Sequence, residues 1–101
     1  MTIDSIAEVG IDELDRLYIR PNTAKFPFIY REAVEVHWDD TRQCLYSPKP
    51  RDWSYLEWFQ HLLDAAALQS TILRLTPKTL WSNISVELKD EMQLWFSTQS
   101  P

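Results

Sequence analysis

Residues 46–61 constrain this chain most strongly, because a proline-stiffened segment there leads into the strongest helix start in the sequence. Ser54 and Glu57 have the spacing of a capping box, in which each side chain bonds the free backbone N–H of the other residue. Asp52 is a competing cap. Apolar residues then recur every three or four positions, which is typical of an amphipathic helix. The pattern predicts a helix over Tyr55–Leu68. The apolar face of this helix could cover the small sheet that the rest of the chain forms.

Most of the remaining chain has the period-two alternation of short strands. Three hairpins are predicted, over residues 6–20, residues 34–46 and residues 71–82. In the first hairpin, a polar connection at residues 12–15 separates two alternating runs. In the third, Pro77 lies where a turn accepts proline at its second position.

The second hairpin has the cleanest alternation. Over residues 34–38, apolar side chains would share one face of a strand, and Glu35 and His37 would share the other. Residues 39–42 carry side chains that bond their own backbone in turns. Residues 44–46 would then form the return strand.

Residues 23–33 can be interpreted in two ways. Pro27 suits the first turn of a helix, so we expect residues 28–33 to form a short helix. The alternative is an extended segment in which Phe26 and Phe28 both point inward.

Hairpins interrupted by single helices favour an α+β fold over a parallel α/β sheet. We expect a mostly antiparallel sheet of five or six short strands, with two helices, Tyr55–Leu68 and residues 86–96, packed on one face. A chain of 101 residues has room for one domain, residues 1–101, with residues 97–101 as a frayed tail. With only one glycine, few positions can demand the positive φ that two-residue hairpin turns require. We therefore expect longer connections of three to five residues.

Charge and composition exclude several classes of function. Fifteen acidic and ten basic residues give a net charge of −5, which argues against general binding to nucleic acid or to an anionic membrane. No apolar run approaches the ~20 residues of a membrane span, and we see no signal peptide. We therefore expect a cytoplasmic protein. Cys44 is the single cysteine, which excludes an internal disulfide and a zinc site built from cysteines.

No pattern in the sequence predicts catalysis. There is no glycine-rich phosphate loop, no nucleophile elbow and no zinc-protease helix motif, so we predict no cofactor, no metal site and no catalytic residues. Glu35 and His37 could form a general-base pair, but a solvent-facing strand surface explains them as well. A charge cluster on the helix surface explains His61. The sequence therefore favours a protein that is not an enzyme, without deciding the point.

Residues 49–53 are the best candidate for a binding surface. Their stiffened backbone projects Lys49 and Arg51 beside Trp53, and binding hot spots are enriched in arginine and tryptophan. The alternative is a structural connector in which Trp53 packs against the start of the helix. Arg31, which follows a tyrosine, is a further candidate for the same surface.

Two runs resemble small proteins encoded by integron gene cassettes. They are residues 29–39 (IYREAVEVHWD) and residues 45–55 (LYSPKPRDWSY), followed by Trp58 and Phe59. The resemblance covers most of the chain and implies a bacterial, mobile-element origin. It implies no catalytic residue and no defined activity.

The aromatic content favours a binding function. Five Trp, four Tyr and four Phe exceed what two helices and a small sheet bury easily, so some should line a self-association surface or a ligand cleft. We predict a small binding or interaction module that forms a homodimer. One alternative is a small-molecule binding protein or small enzyme, with a pocket between sheet and helix and polar contacts from Glu35, His37 and Arg51. Another is an acidic immunity or antidote-type protein.

Overall fold

A computed structural model describes residues 1–99, which form a six-stranded sheet and two helices. The strands are β1 (Thr2–Ile11), β2 (Leu17–Pro21), β3 (His37–Asp39), β4 (Cys44–Tyr46), β5 (Thr71–Arg74) and β6 (Leu80–Ser82), and the helices are α1 (Tyr55–Leu68) and α2 (Val86–Gln99). The sheet is mixed and mostly antiparallel, so the predicted α+β fold class is confirmed.

Strand β1 is the centre of the sheet, whose order is β3-β4-β2-β1-β5, with β6 also beside β1. It pairs with β2 as the predicted first hairpin. Asp12 shapes the connection, since its carboxylate accepts hydrogen bonds from the backbone N–H groups of Leu14 (2.9 Å) and Arg16 (3.0 Å).

The predicted third hairpin is wrong, because β5 and β6 do not pair with each other. Both run parallel to β1, β5 beside its first half and β6 beside its second half. The turn between them therefore does not reverse the direction of the chain. The Thr79 hydroxyl holds this turn in place by donating to the carbonyl of Ile6 (2.7 Å), while it accepts from the N–H of Thr76 (3.0 Å).

The second hairpin is shorter than predicted. Its first strand begins at His37 and not at Val34, because Glu35 has a φ of 67°, which interrupts extended backbone. Val34 is exposed, while Val36 is buried.

Residues 28–33 form less helix than expected, a single 3₁₀ turn over Ile29–Arg31. Ile29 and Phe26 are buried, but Phe28 is half exposed. The extended alternative, with both phenylalanines inward, is therefore also wrong.

Both helices lie on one face of the sheet, as predicted. Helix α1 has the predicted bounds and a complete capping box, in which the Glu57 N–H donates to the Ser54 hydroxyl (3.1 Å) and the Ser54 N–H donates to the Glu57 carboxylate (2.9 Å). Helix α2 packs against α1 through Phe59 and Trp95, whose ring centroids are 5.9 Å apart.

Helix α2 extends beyond its predicted end at residue 96 and runs to Gln99, through part of the segment expected to fray. Residues 100 and 101 of that segment lie outside the described residues. Neither helix of the described chain is long and apolar enough to cross a membrane.

Positive φ is more common than the single glycine suggested. Five residues other than glycine adopt it: Asp15, Glu35, Gln43, Ser70 and Asn83. Most have short polar side chains that tolerate this conformation at turns. Gly10 lies instead within β1, under the ring of Tyr18. The positive-φ residues do not form two-residue hairpin turns, since the connections of the first two hairpins span residues 12–16 and residues 40–43, within the three to five residues expected.

Candidate functional site

A groove lies between residues 32–35, which follow the 3₁₀ turn, and residues 48–53, which lead into α1. Its volume is about 460 Å³. The lining residues are Glu32, Ala33, Val34, Glu35, Pro48, Lys49, Arg51, Asp52, Trp53, Trp58 and His61.

Four of the six predicted binding residues line this groove: Glu35, Lys49, Arg51 and Trp53. The Arg51 guanidinium lies 3.2 Å from the carboxylate of Glu35, which joins the two sides of the groove. The Lys49 ammonium lies 3.5 Å from Asp15. Both ion pairs are largely exposed, and such pairs contribute only about 0–1 kcal/mol to stability.

The other two predicted residues lie elsewhere. Arg31 stacks over the rings of Phe28 (4.7 Å) and Tyr30 (5.9 Å). His37 lies on the sheet face opposite the helices, with its ring 5.3 Å from that of Tyr46.

Glu35 and His37, which the sequence suggested as a possible general-base pair, therefore do not form one. The two side chains do not share a strand face, because the strand starts only at His37 and Glu35 turns towards Arg51. Of the three polar residues expected to converge on one pocket, Glu35 and Arg51 do so and His37 does not.

Sequence reasoning missed two groove residues, Trp58 and His61. They form an aromatic wall with Trp53, in which the centroid distances are 4.8 Å for Trp53–Trp58, 5.0 Å for Trp53–His61 and 5.6 Å for Trp58–His61. The spacing of Trp58 and His61, three positions apart in a helix that starts beside Trp53, was the available signal. Trp53 packs against the start of the helix, yet it remains 42% exposed.

The sheet face opposite the helices carries its own polar network around Glu8. The Tyr18 hydroxyl (2.8 Å) and the Arg20 guanidinium (2.9 Å) donate to the Glu8 carboxylate, as does the hydroxyl of Ser82. Burial alone would raise the pKa of Glu8, but these hydrogen bonds outweigh it and lower the pKa below its ordinary value. Arg42 stacks over Tyr18 (4.9 Å). With its polar groups paired internally, the network supports the fold more readily than it binds a ligand.

Cys44 is not placed to act as a nucleophile. It is 1% exposed, and burial raises the pKa of its thiol to about 11, whereas reactive cysteines have lowered values. Within residues 1–99, no three His, Cys, Asp or Glu side chains are grouped so that they could hold a metal ion.

The family is identified by comparison with known proteins. The family model described as Integron Cassette Protein Hfx_Cass5 matches residues 4–75. The chain belongs to this family. The matched range contains every groove residue. The resemblance to integron cassette proteins seen in the sequence is confirmed.

One solved structure is similar over nearly the whole chain. It is the Integron Cassette Protein Hfx_Cass5 from the mobile metagenome of the North West Arm Sewage Outfall, which is 39% identical. The match covers 96% of this chain and 98% of that chain, with a TM-score of 0.49. The comparison with curated proteins gave no match.

Proposed function

We propose that this cassette protein is a binding module whose contact site is the groove. The observation that supports this most is that one cavity brings together charged residues from two separate segments, Glu35, Lys49 and Arg51, and the aromatic wall that contains Trp53. A volume of about 460 Å³ falls within the ~300–1,000 Å³ of typical ligand sites. Such sites combine apolar and aromatic walls with a few charged groups, as this groove does.

The groove residues favour binding over catalysis. Glu35 and Arg51 are exposed and paired with each other, and the ring of His61 packs edge-on against Trp53 and Trp58. A general base must be oriented towards the proton that it removes, and the contacts of Glu35 and His61 within the protein do not orient them towards a common point. Aromatic faces and exposed charges instead supply surface and orientation, which are what a binding site requires.

The experiment is a fragment screen monitored by the indole N–H signals in a ¹H–¹⁵N NMR spectrum, because the five tryptophans report on different parts of the protein. A groove ligand should shift the signals of Trp53 and Trp58 together and saturably. The signals of Trp81 and Trp95, which do not line the groove, should stay unchanged.

Trp53→Ala removes one of the two reporting signals and should abolish the ligand-induced shift of the other, that of Trp58. The matched control is Leu94→Ala, which removes an apolar side chain that is 69% exposed on α2 and should leave binding intact. A fragment library that produces no saturable shift at Trp53 and Trp58 would refute the proposal.

A second candidate function is self-association, because four exposed apolar side chains lie in the groove or in the segment just before its first lining residues. Phe28 is 50% exposed, Tyr30 59%, Val34 84% and Trp53 42%. Large exposed apolar patches commonly mark interaction sites. We propose that this exposed ridge, defined by these four residues, forms the interface of a homodimer in the cytoplasm.

Light scattering after gel filtration tests the dimer. Val34→Glu should convert it to a monomer, because burying an unpaired carboxylate in an interface is costly. Leu68→Glu, at a side chain that is 64% exposed outside the ridge, is the control and should leave the dimer intact. A strict monomer at high micromolar concentration would remove this candidate.

A further inference from the structure

We propose that the groove binds an organic cation, namely a protonated amine or other ammonium group attached to a flat apolar body. This inference rests on the proposed function, because it names the ligand class of the same site. Three features of the groove support a cation over an anion: its net charge, the pairing of its charged groups and the partial exposure of its tryptophan, Trp53.

The first feature is the net charge of the lining. Glu32, Glu35 and Asp52 carry three negative charges, and Lys49 and Arg51 carry two positive charges, which gives 2 − 3 = −1. The whole chain has a net charge of −5. The lining carries both signs, but its negative excess, like that of the whole chain, attracts cations more than anions.

The second feature is which charges already have partners. Arg51 is paired with Glu35 at 3.2 Å, and Lys49 is paired with Asp15 at 3.5 Å. Among residues 1–99, neither Glu32 nor Asp52 has a basic group within 4.0 Å. An anionic ligand would compete with existing carboxylates, whereas a cation finds two carboxylates without a basic partner.

The third feature is the exposed indole of Trp53. Elsewhere in the described chain, some exposed or half-buried rings are covered by the protein's own cations, as Lys89 covers Trp81 (5.7 Å) and Arg16 covers Tyr46 (4.6 Å). In the same part of the chain, no lysine or arginine lies over the ring of Trp53 or Trp58. Tryptophan faces bind cations best among the aromatic side chains, so a ligand ammonium at Trp53 meets no internal competitor.

Arg51 has a particular place in this arrangement. Its guanidinium occupies a position beside Glu35 that the ligand ammonium could also take. Replacing Arg51 with a neutral residue should therefore strengthen cation binding, because it frees the Glu35 carboxylate and removes a like charge. A purely structural role for the ion pair would give the opposite sign.

The test uses three probes that share one ring and differ in charge: tryptamine, indole-3-acetamide and indole-3-acetate. Isothermal titration calorimetry measures the affinities, and the indole N–H signals of Trp53 and Trp58 locate the site. Tryptamine should bind most tightly and indole-3-acetate most weakly. Raising the salt from about 0.01 M to about 1 M shortens the Debye length from about 30 Å to about 3 Å, so it should weaken tryptamine while leaving the amide nearly unchanged.

Two variants and one control sharpen the test. Asp52→Asn should weaken tryptamine about two- to fivefold, as expected for one solvent-screened charge a few ångströms away, without changing the amide. Arg51→Met should strengthen tryptamine by a similar factor. Glu91→Gln removes an exposed carboxylate of α2 outside the groove and should change neither probe.

The outcomes separate this inference from the proposed function. If no probe of any charge shifts Trp53 and Trp58, both the inference and the groove as an indole-sized binding site fail. If the amide or the acetate binds as tightly as tryptamine, or if Arg51→Met weakens tryptamine, the groove remains a binding site and the inferred ligand class is wrong.

Discussion

In a Gly10→Ala variant, the added methyl group would occupy space that the ring of Tyr18 fills. Gly10 of β1 is paired with Tyr18 of β2. A Cβ at Gly10 would lie 2.6 Å from Cε2 of that ring and closer still to Cζ and the hydroxyl. Carbon atoms pack at about 3.5–4.0 Å, so the ring must move. Tyr18 is only 9% exposed, which leaves it little room.

The cost follows from what the displaced ring loses. The Tyr18 hydroxyl donates to the Glu8 carboxylate at 2.8 Å, and hydrogen bonds to charged groups contribute about 1.5–3 kcal/mol. The Arg42 guanidinium over the ring adds about 0.5–1 kcal/mol. Alanine recovers about 0.5–1 kcal/mol relative to glycine in a strand. The variant should therefore lower the free energy of unfolding by about 1–3 kcal/mol.

Urea unfolding followed by tryptophan fluorescence measures this change, and the melting temperature should fall by roughly 5–20 °C. The control is the same substitution in a Tyr18→Ala background, where the ring is absent and the methyl group should cost nothing or stabilise the strand. An unchanged urea midpoint for Gly10→Ala would refute the reasoning. So would an equal cost in both backgrounds, because the two sites would then be uncoupled.

Three further predictions test other parts of the fold. Ser54→Ala removes the helix cap and should lower the free energy of unfolding by about 1 kcal/mol in chemical denaturation, and an unchanged midpoint would show that the capping box contributes nothing. Because the Cys44 thiol is buried and its pKa is raised to about 11, a thiol reagent near neutral pH should label the native protein only as fast as the protein opens, so rapid native labelling would contradict this packing. Burial alone would raise the pKa of Asp4, but hydrogen bonds from Ala24 and Thr23 outweigh it and lower the pKa. A folded-state pKa below the unfolded value of about 3.9 means that the stabilisation is present above about pH 4 and is lost as the pH falls through the folded-state value. Asp4→Asn should therefore weaken the pH dependence of stability in acid, and an unaltered acid profile would contradict this.

The candidate site was only partly visible in the sequence. Lys49, Arg51 and Trp53 could be selected because they lie close together in a stiffened segment, where sequence distance is a guide to spatial distance. Glu35 was selected for a partner, His37, that it does not contact. Its actual partner, Arg51, is 16 positions away, and no local rule relates two residues at that separation.

Trp58 and His61 also show that local sequence patterns do not reveal contacts between separate segments. Helical periodicity correctly places Trp58 towards the core and His61 at the partly exposed edge of α1. Periodicity along one helix does not show which other segment packs against it. Only the path of the lead-in brings Trp53 onto both rings.

The sequence by itself determined the features that depend on neighbours a few positions apart. These are the bounds of α1, its capping box, the first hairpin, the turn before β4 and membership of an integron cassette family. Tertiary structure decided that β5 and β6 both run parallel to β1, that Glu35 interrupts a strand and that two distant segments enclose the groove. The physical reason is that caps, turns and helical faces form within one or two turns of chain. Strand partners and groove walls are chosen by burial against a shared core, and that choice depends on the whole chain at once.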